Sequence, residues 1–136
     1  MQKATTAEKR VLIVAGESSG DLHGGNLIKA SRRLNPWLHF YGVGGSRMRD
    51  AGCEILFPAE DLAVMGLSEV LGHLPTIYNR FKRLERQLKA DEKPDLLLLI
   101  DYPGFNLKLA KVAKEVGVPV LYYIAPKVWA WKKGRI

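Results

Sequence analysis

The run Leu96-Leu97-Leu98-Leu99-Ile100, closed by Asp101, decides the fold. Its apolar residues do not alternate with polar ones, which predicts a strand buried on both faces, as in the middle of a parallel sheet. Parallel strands need crossover connections, and those connections are usually helices. The flanking sequence supplies both. Upstream, Arg10–Ala15 and Leu38–Val43 are short β-branched or apolar runs, and Glu54–Phe57 is a third, briefer one. Downstream, Val118–Ile124 is a fourth, with Pro119 at its start, where proline is tolerated.

Helical patterns fill the gaps. One runs from Asp21 to about Leu34 and ends at Asn35-Pro36, because the residue before proline is pushed out of the α region. A short helical piece covers Arg47–Ala51. Val70, Leu71, Leu74, Ile77, Phe81, Leu84 and Leu88 recur at steps of three and four along one helix face, with a break or kink expected at Pro75. Another helix spans about Phe105–Val116 and is closed by Gly117. Strand and helix alternate with short connections, so the fold class is α/β with a doubly wound, mostly parallel sheet. A polar tail, residues 1–9, precedes one domain that fills 10–136.

Composition narrows the function. At 136 residues and 47% hydrophobic, the chain can bury a core. The lone Cys53 can form no internal disulfide, which fits a reducing compartment. No run reaches the roughly 18 apolar residues that a bilayer span needs. The formal net charge of +7 favours anionic partners such as nucleic acid, lipid headgroups or phosphorylated metabolites. No RNA-binding sheet motif or helix-turn-helix pattern accompanies that charge, so nucleic acid is disfavoured. His23, His39 and His73 have no zinc-like spacing around Cys53, so no metal site is expected.

Ligands of open parallel sheets bind beyond the carboxyl ends of the strands, and three unusual segments fall there. Gly16-Glu17-Ser18-Ser19-Gly20-Asp21 joins the first strand to its helix. It reads either as a ligand loop whose helix N-terminus offers N–H groups, or as a glycine turn capped by Ser19 or Asp21. It lacks the dinucleotide GxGxxG pattern and the P-loop lysine. Asp101-Tyr102-Pro103-Gly104-Phe105-Asn106 follows the central strand. A carboxylate there is costly unless solvated or hydrogen-bonded, and the position suits a general base; the competing reading is a cap for the next helix. Asn106 can hold a sugar hydroxyl or cap backbone. Ala125–Lys133 places Trp129 and Trp131 beside lysines, either as a sugar or lipid site or as core packing. From Arg80 to Lys93 six Lys/Arg face three Asp/Glu. This is either a solvated helix face or, with the apolar stretch Leu62–Leu67 upstream, a membrane-surface patch carrying Met65, Leu67, Arg80 and Arg83.

Five segments then fall in one order: AGESSGDLHGGNLI (Ala15–Ile28), GVGG (Gly42–Gly45), LAVMGLSEVL (Leu62–Leu71), IDYPGFN (Ile100–Asn106) and APKVWAWKKGRI (Ala125–Ile136). Together they resemble the lipid-A-disaccharide synthase family, from Val11 onward. The resemblance implies the N-terminal, acceptor-side Rossmann-like domain of a two-domain GT-B glycosyltransferase. It implies an inverting hexosyl transfer that joins UDP-2,3-diacylglucosamine to 2,3-diacylglucosamine 1-phosphate, giving the β-1,6-linked lipid A disaccharide and UDP. The place implied is the cytoplasmic face of the inner membrane, as a peripheral protein, with no cofactor. Asp101 matches the family's essential aspartate, and Gly16, Glu17, Ser18, Ser19, Gly20, Asp21, Asn106 and Trp129 are its expected substrate contacts. One departure stands out: the family's second, nucleotide-binding domain has no counterpart here. The domain is therefore expected to be incomplete and inactive alone, requiring the missing domain or a partner chain. The alternative is a non-catalytic module that binds lipid phosphates.

Overall fold

A computed structural model gives the architecture; it describes residues 8–62 and 70–123, side chains included except at 70–74. The order of elements is β1 (Lys9–Ala15), α1 (Ser18–Leu34), β2 (Leu38–Gly44), α2 (Ser46–Asp50), β3 (Glu54–Pro58), a 3-10 turn (Ala59–Asp61), α3 (Val70–Lys89), β4 (Leu96–Ile100), α4 (Pro103–Glu115) and β5 (Val120–Tyr123). Five strands form one sheet in the order β3-β2-β1-β4-β5. Every neighbouring pair is parallel. The sheet is therefore parallel throughout, as the alternation of elements requires.

The Leu96–Ile100 run explains its own lack of alternation. Successive residues on a strand point to opposite faces. Leu97 and Leu99 join Leu12, Val14 and Val43 in a core that includes Leu84 and Leu88 of α3 and Leu109 of α4. Leu98 and Ile100 join Ile13, Ala15, Phe40 and Met48 in a second core with Ile28 of α1. Both faces are covered, so both sets are apolar. The central pairs Ile13↔Leu98 and Val14↔Leu99 fix the register of β1 against β4.

Three sequence expectations are corrected. Helix α1 starts at Ser18 rather than Asp21, so Ser18, Ser19 and Gly20 form its first turn instead of a preceding loop. Helix α3 runs from Val70 to Lys89 through Pro75, so no break falls there. Proline lacks only its own N–H, so a single i→i−4 bond near the start of the helix is forfeited, and the apolar face beyond it still packs. Helix α4 starts at Pro103, two residues before the expected Phe105, with proline at a first-turn position where its missing N–H costs nothing. Helix α1 ends at Leu34 as Asn35-Pro36 dictates, and Asn35 is extended at φ −145°.

Candidate functional site

The strand order places the site. β1 leads to β2 on one side, and β4 sits on its other side, so the connections leaving β1 and β4 diverge. A crevice opens at such a switch point. Ala15 pairs with Ile100. The next residues in each chain segment, Gly16 and Asp101, are therefore neighbours at the carboxyl edge of the sheet.

The backbone at Asp101 is unusual. Asp101 has φ 45° and Tyr102 has φ 55°, two consecutive non-glycine residues in the left-handed region. Each such residue costs on the order of 1–2 kcal/mol, so the surroundings must hold them. They do so at several points. Asp101 N–H donates to the Tyr123 carbonyl at 2.9 Å. The Asp101 carbonyl accepts from Asn106 Nδ2 at 2.9 Å and from the Tyr122 hydroxyl at 2.8 Å. The Tyr102 hydroxyl donates to the Leu62 carbonyl. The turn lifts half-buried Asp101 out of the strand line at the crevice.

Tyr102 ties the β4 end to the β1 end. A Cβ placed on Gly16 would come within 2.6 Å of the Tyr102 ring, so only glycine fits beneath it. Burial, reinforced by the nearby Glu17 charge, pushes the Tyr102 hydroxyl up to about 12. It therefore stays a hydrogen-bond donor throughout the neutral range. Tyr122 is also raised, first by burial and then by the charge of Asp101.

Beside this pair lies a cleft of about 220 Å³, lined by Gly16, Glu17, Ser18, Asp21, Gly45, Ser46, Ala59 and Glu60. It spans the ends of β1, β2 and β3. Its rim offers the carboxylates of Glu17 and Glu60 and the hydroxyls of Ser18 and Ser46. Carboxylates and hydroxyls accept from sugar hydroxyls, and the two carboxylates repel a phosphate. Ser19 is exposed on the first turn of α1 beside the cleft, and Gly20 packs on Ala15, where a Cβ would approach the Ala15 methyl to 3.1 Å. Ser46 and Glu60 are cleft residues that sequence reasoning missed. The serine directly after the Gly44-Gly45 turn was an available signal; Glu60 carried none.

Asp21 lines the cleft, but its carboxylate is occupied by the protein's own backbone. It is 8% exposed. Its Oδ1 accepts from the backbone N–H of Gly45 at 2.7 Å and of Met48 at 3.0 Å, and its Oδ2 accepts from Arg47 N–H at 3.1 Å. These are the first amides of α2, so Asp21 caps a helix other than its own and complements that helix's positive end. Gly45 is the glycine that this needs, since a Cβ there would meet Asp21 Oδ2 at 2.8 Å. The glycine-rich loop and the Gly42–Gly45 turn are thus two halves of one hydrogen-bonded corner.

Asn106 is corrected likewise. It is fully buried, so it does not reach the crevice surface; it instead steadies the Asp101 carbonyl from α4. Its Oδ1 has no hydrogen-bond partner among the described residues. Arg80 is paired within the protein, whereas Arg83 makes no ion pair among the described residues. Arg80 Nε pairs with Asp61 at 2.7 Å, and both guanidinium groups lie over the Phe57 ring, at 5.4 and 5.9 Å. Lys82 and Lys89 both pair with Glu85, at 2.9 and 3.1 Å. Three of the six cations are thus paired with two carboxylates, while Arg83, Arg86 and Lys93 make no ion pair among the described residues. Met65, Leu67 and Trp129 lie outside the described residues. Among the described residues, no helix is long and apolar enough to cross a membrane.

Fold and site define a class: a Rossmann-like parallel α/β domain with a carboxylate at its topological switch point and a cleft of about 220 Å³ beside it. The family model for lipid-A-disaccharide synthetase matches residues 11–136, and the chain belongs to that family. It is 58% identical over 128 residues to the lipid-A-disaccharide synthase of Syntrophotalea carbinolica, covering 94% of this chain and 33% of that protein. It is 55% identical over 132 residues to that of Geobacter metallireducens, covering 97% of this chain and 34% of that protein. The chain thus spans about a third of the length of the curated relatives it matches. Among solved structures, the C-terminal domain of a Pyrococcus furiosus hydrogenase superposes with a TM-score of 0.61 at 20% identity, covering 86% of this chain and 94% of that one. That likeness concerns the fold alone.

Proposed function

We propose that this domain is the acceptor side of a glycosyltransferase of lipid A biosynthesis, with Asp101 as its general base. The observation that carries the reading is the position of Asp101: beyond the interior strand β4, on a strained two-residue turn, beside Gly16 at the switch point, in a chain of this family. Strain of this kind persists where the surroundings over-determine it, and active sites are where it gathers.

In the proposed reaction, the C6 hydroxyl of 2,3-diacylglucosamine 1-phosphate attacks the anomeric carbon of UDP-2,3-diacylglucosamine. The new C–O bond forms as the bond to UDP breaks, with inversion at that carbon. Asp101 takes the hydroxyl proton as the attack proceeds, and UDP leaves with the electron pair. Glu17, Ser18 and Ser46 hold hydroxyls of the acceptor sugar in the cleft. Asp21 and Asn106 act indirectly, by fixing the α2 corner and the Asp101 carbonyl. The nucleotide of the donor would be bound by the part of the protein that lies beyond this domain. A peripheral place on the inner membrane follows from the acylated substrates.

The test joins this chain to the remaining two-thirds of the Syntrophotalea carbinolica protein and measures UDP release and disaccharide formation from the two substrates. The joined protein is expected to turn over and the 136-residue chain alone to be silent. A joined protein that folds and binds UDP yet forms no disaccharide would argue for the lipid-phosphate-binding alternative.

A further inference from the structure

The opposite edge of the sheet carries a second, differently charged surface. An open pocket of about 450 Å³ is lined by Lys29, Arg32, Arg33, Pro36 and Ala51. It lies where α1 ends and where β2 and β3 begin, at the far end of the strands from Asp101. Lys29, Arg32 and Arg33 make no ion pair among the described residues. They sit at spacings of three and four on one helix face, where like charges repel and weaken the helix.

Three features go beyond a solvated helix end. The helix dipole accounts for Arg32 and Arg33 in the last turn, but Lys29 stands a turn earlier. The turn after α2 passes close to one of the cations: the exposed Arg32 guanidinium lies over Gly52, whose φ of 107° is one that glycine favours. Two large apolar side chains that follow the cations in the chain stand in solvent, Leu34 at 89% and Trp37 at 52% exposure. Exposed apolar side chains close in the chain to cations suit an amphiphile, whose apolar part and headgroup need both.

We propose that the Lys29–Arg32–Arg33 pocket binds a phosphate group, as a site separate from the strand-end crevice. Guanidinium groups match phosphate oxygens with paired N–H donors, and Lys29 adds a point charge. The shared chemistry is a phosphate anion, supplied either by a lipid headgroup, with its apolar part on Leu34 and Trp37, or by a free phosphate. The proposal does not depend on the transferase reading.

Two arms separate the sources. In one, inorganic pyrophosphate is titrated into the protein while the Arg32 and Arg33 Nε–H and Trp37 indole resonances are followed. In the other, the protein is co-sedimented with phosphatidylglycerol vesicles, against phosphatidylcholine vesicles. Each arm is repeated with the triple variant Lys29→Gln, Arg32→Gln, Arg33→Gln. A second triple variant, Lys108→Gln, Lys111→Gln, Lys114→Gln, removes the same charge from the exposed face of α4. The pocket variant should weaken binding at least about tenfold, and the α4 variant less than about threefold. A pocket-dependent response to pyrophosphate assigns a free phosphate; one confined to phosphatidylglycerol assigns the headgroup. Equal weakening by both triple variants, or no response in either arm, overturns the proposal.

Discussion

Replacing Asp21 with alanine should unpin the corner that holds the cleft together. Its carboxylate accepts three backbone N–H bonds, at 2.7, 3.0 and 3.1 Å, while only 8% exposed. A hydrogen bond to a charged group contributes roughly 1.5–3 kcal/mol net, and the cost of desolvating the carboxylate offsets part of the sum. Of the three donors left behind, the Met48 amide is the one bonded in a buried setting; those of Gly45 and Arg47 are part-buried and can be partly hydrated. The expected loss is therefore about 3–5 kcal/mol, a large share of the 5–15 kcal/mol or so that stabilises a domain. That corresponds to a fall in Tm of roughly 10–15 °C. Asp21→Asn should cost about half as much. Its remaining Oδ1 can still serve Gly45 and Met48, while its amide nitrogen turns a donor toward the Arg47 N–H. Urea unfolding followed by circular dichroism gives the free energies, and amide shifts at Gly45 and Met48 locate the change. A loss below about 1 kcal/mol for Asp21→Ala, with those amides unmoved, would refute the reasoning.

Other predictions follow the same geometry. Gly16→Ala drives a methyl into the Tyr102 ring and should cost about 1–3 kcal/mol; adding Tyr102→Ala should relieve part of the clash, read as non-additivity in a double-mutant cycle. Leu99→Ala, at a fully buried central position, should cost about 2–5 kcal/mol in urea unfolding, while Leu107→Ala, at a side chain 57% exposed, should stay within about 0.5 kcal/mol. Burial pushes the Cys53 thiol up from 9.0 to about 12 and the Tyr102 hydroxyl from 10.0 to about 12. The unfolded chain ionises both groups at lower pH than the folded one, so it gains stability first as pH rises. The contribution of these two groups should be flat below about pH 8 and fall between about pH 9 and 12, measured as the urea midpoint against pH, with Cys53→Ala flattening the lower part of the fall. A midpoint that rises over this window would contradict the burial of both groups.

Much of this was legible from the sequence because the responsible interactions are local. The Leu96–Ile100 run declared a strand covered on both faces, and the two cores divide its residues alternately as the strand period demands. The placement of Asp101 beyond that strand followed from the same run. The parts that escaped depend on pairs distant in the chain. Asp21 stands 24 residues from Gly45, and nothing in either segment states that one caps the other. Asn106 reads as a polar residue near a site, and only the fold shows it turned inward to the Asp101 carbonyl. The charge on α3 looked available because Asp61, which neutralises Arg80, lies 19 residues away. The starts of α1 and α4 are hidden for a simpler reason: glycine and proline read as breakers in sequence but serve here as first-turn residues.

The central claim is that Asp101 takes the proton from the acceptor hydroxyl. Asparagine is the informative replacement, because it tolerates the left-handed backbone of φ 45° while removing the basic oxygen. The measurement is the rate of disaccharide formation by the joined protein carrying Asp101→Asn, with substrate binding and the circular dichroism spectrum as controls. The account predicts a fall of about 10²–10⁴-fold in kcat with fold and binding intact. A rate within about threefold of the unsubstituted protein, at unchanged fold, would contradict it.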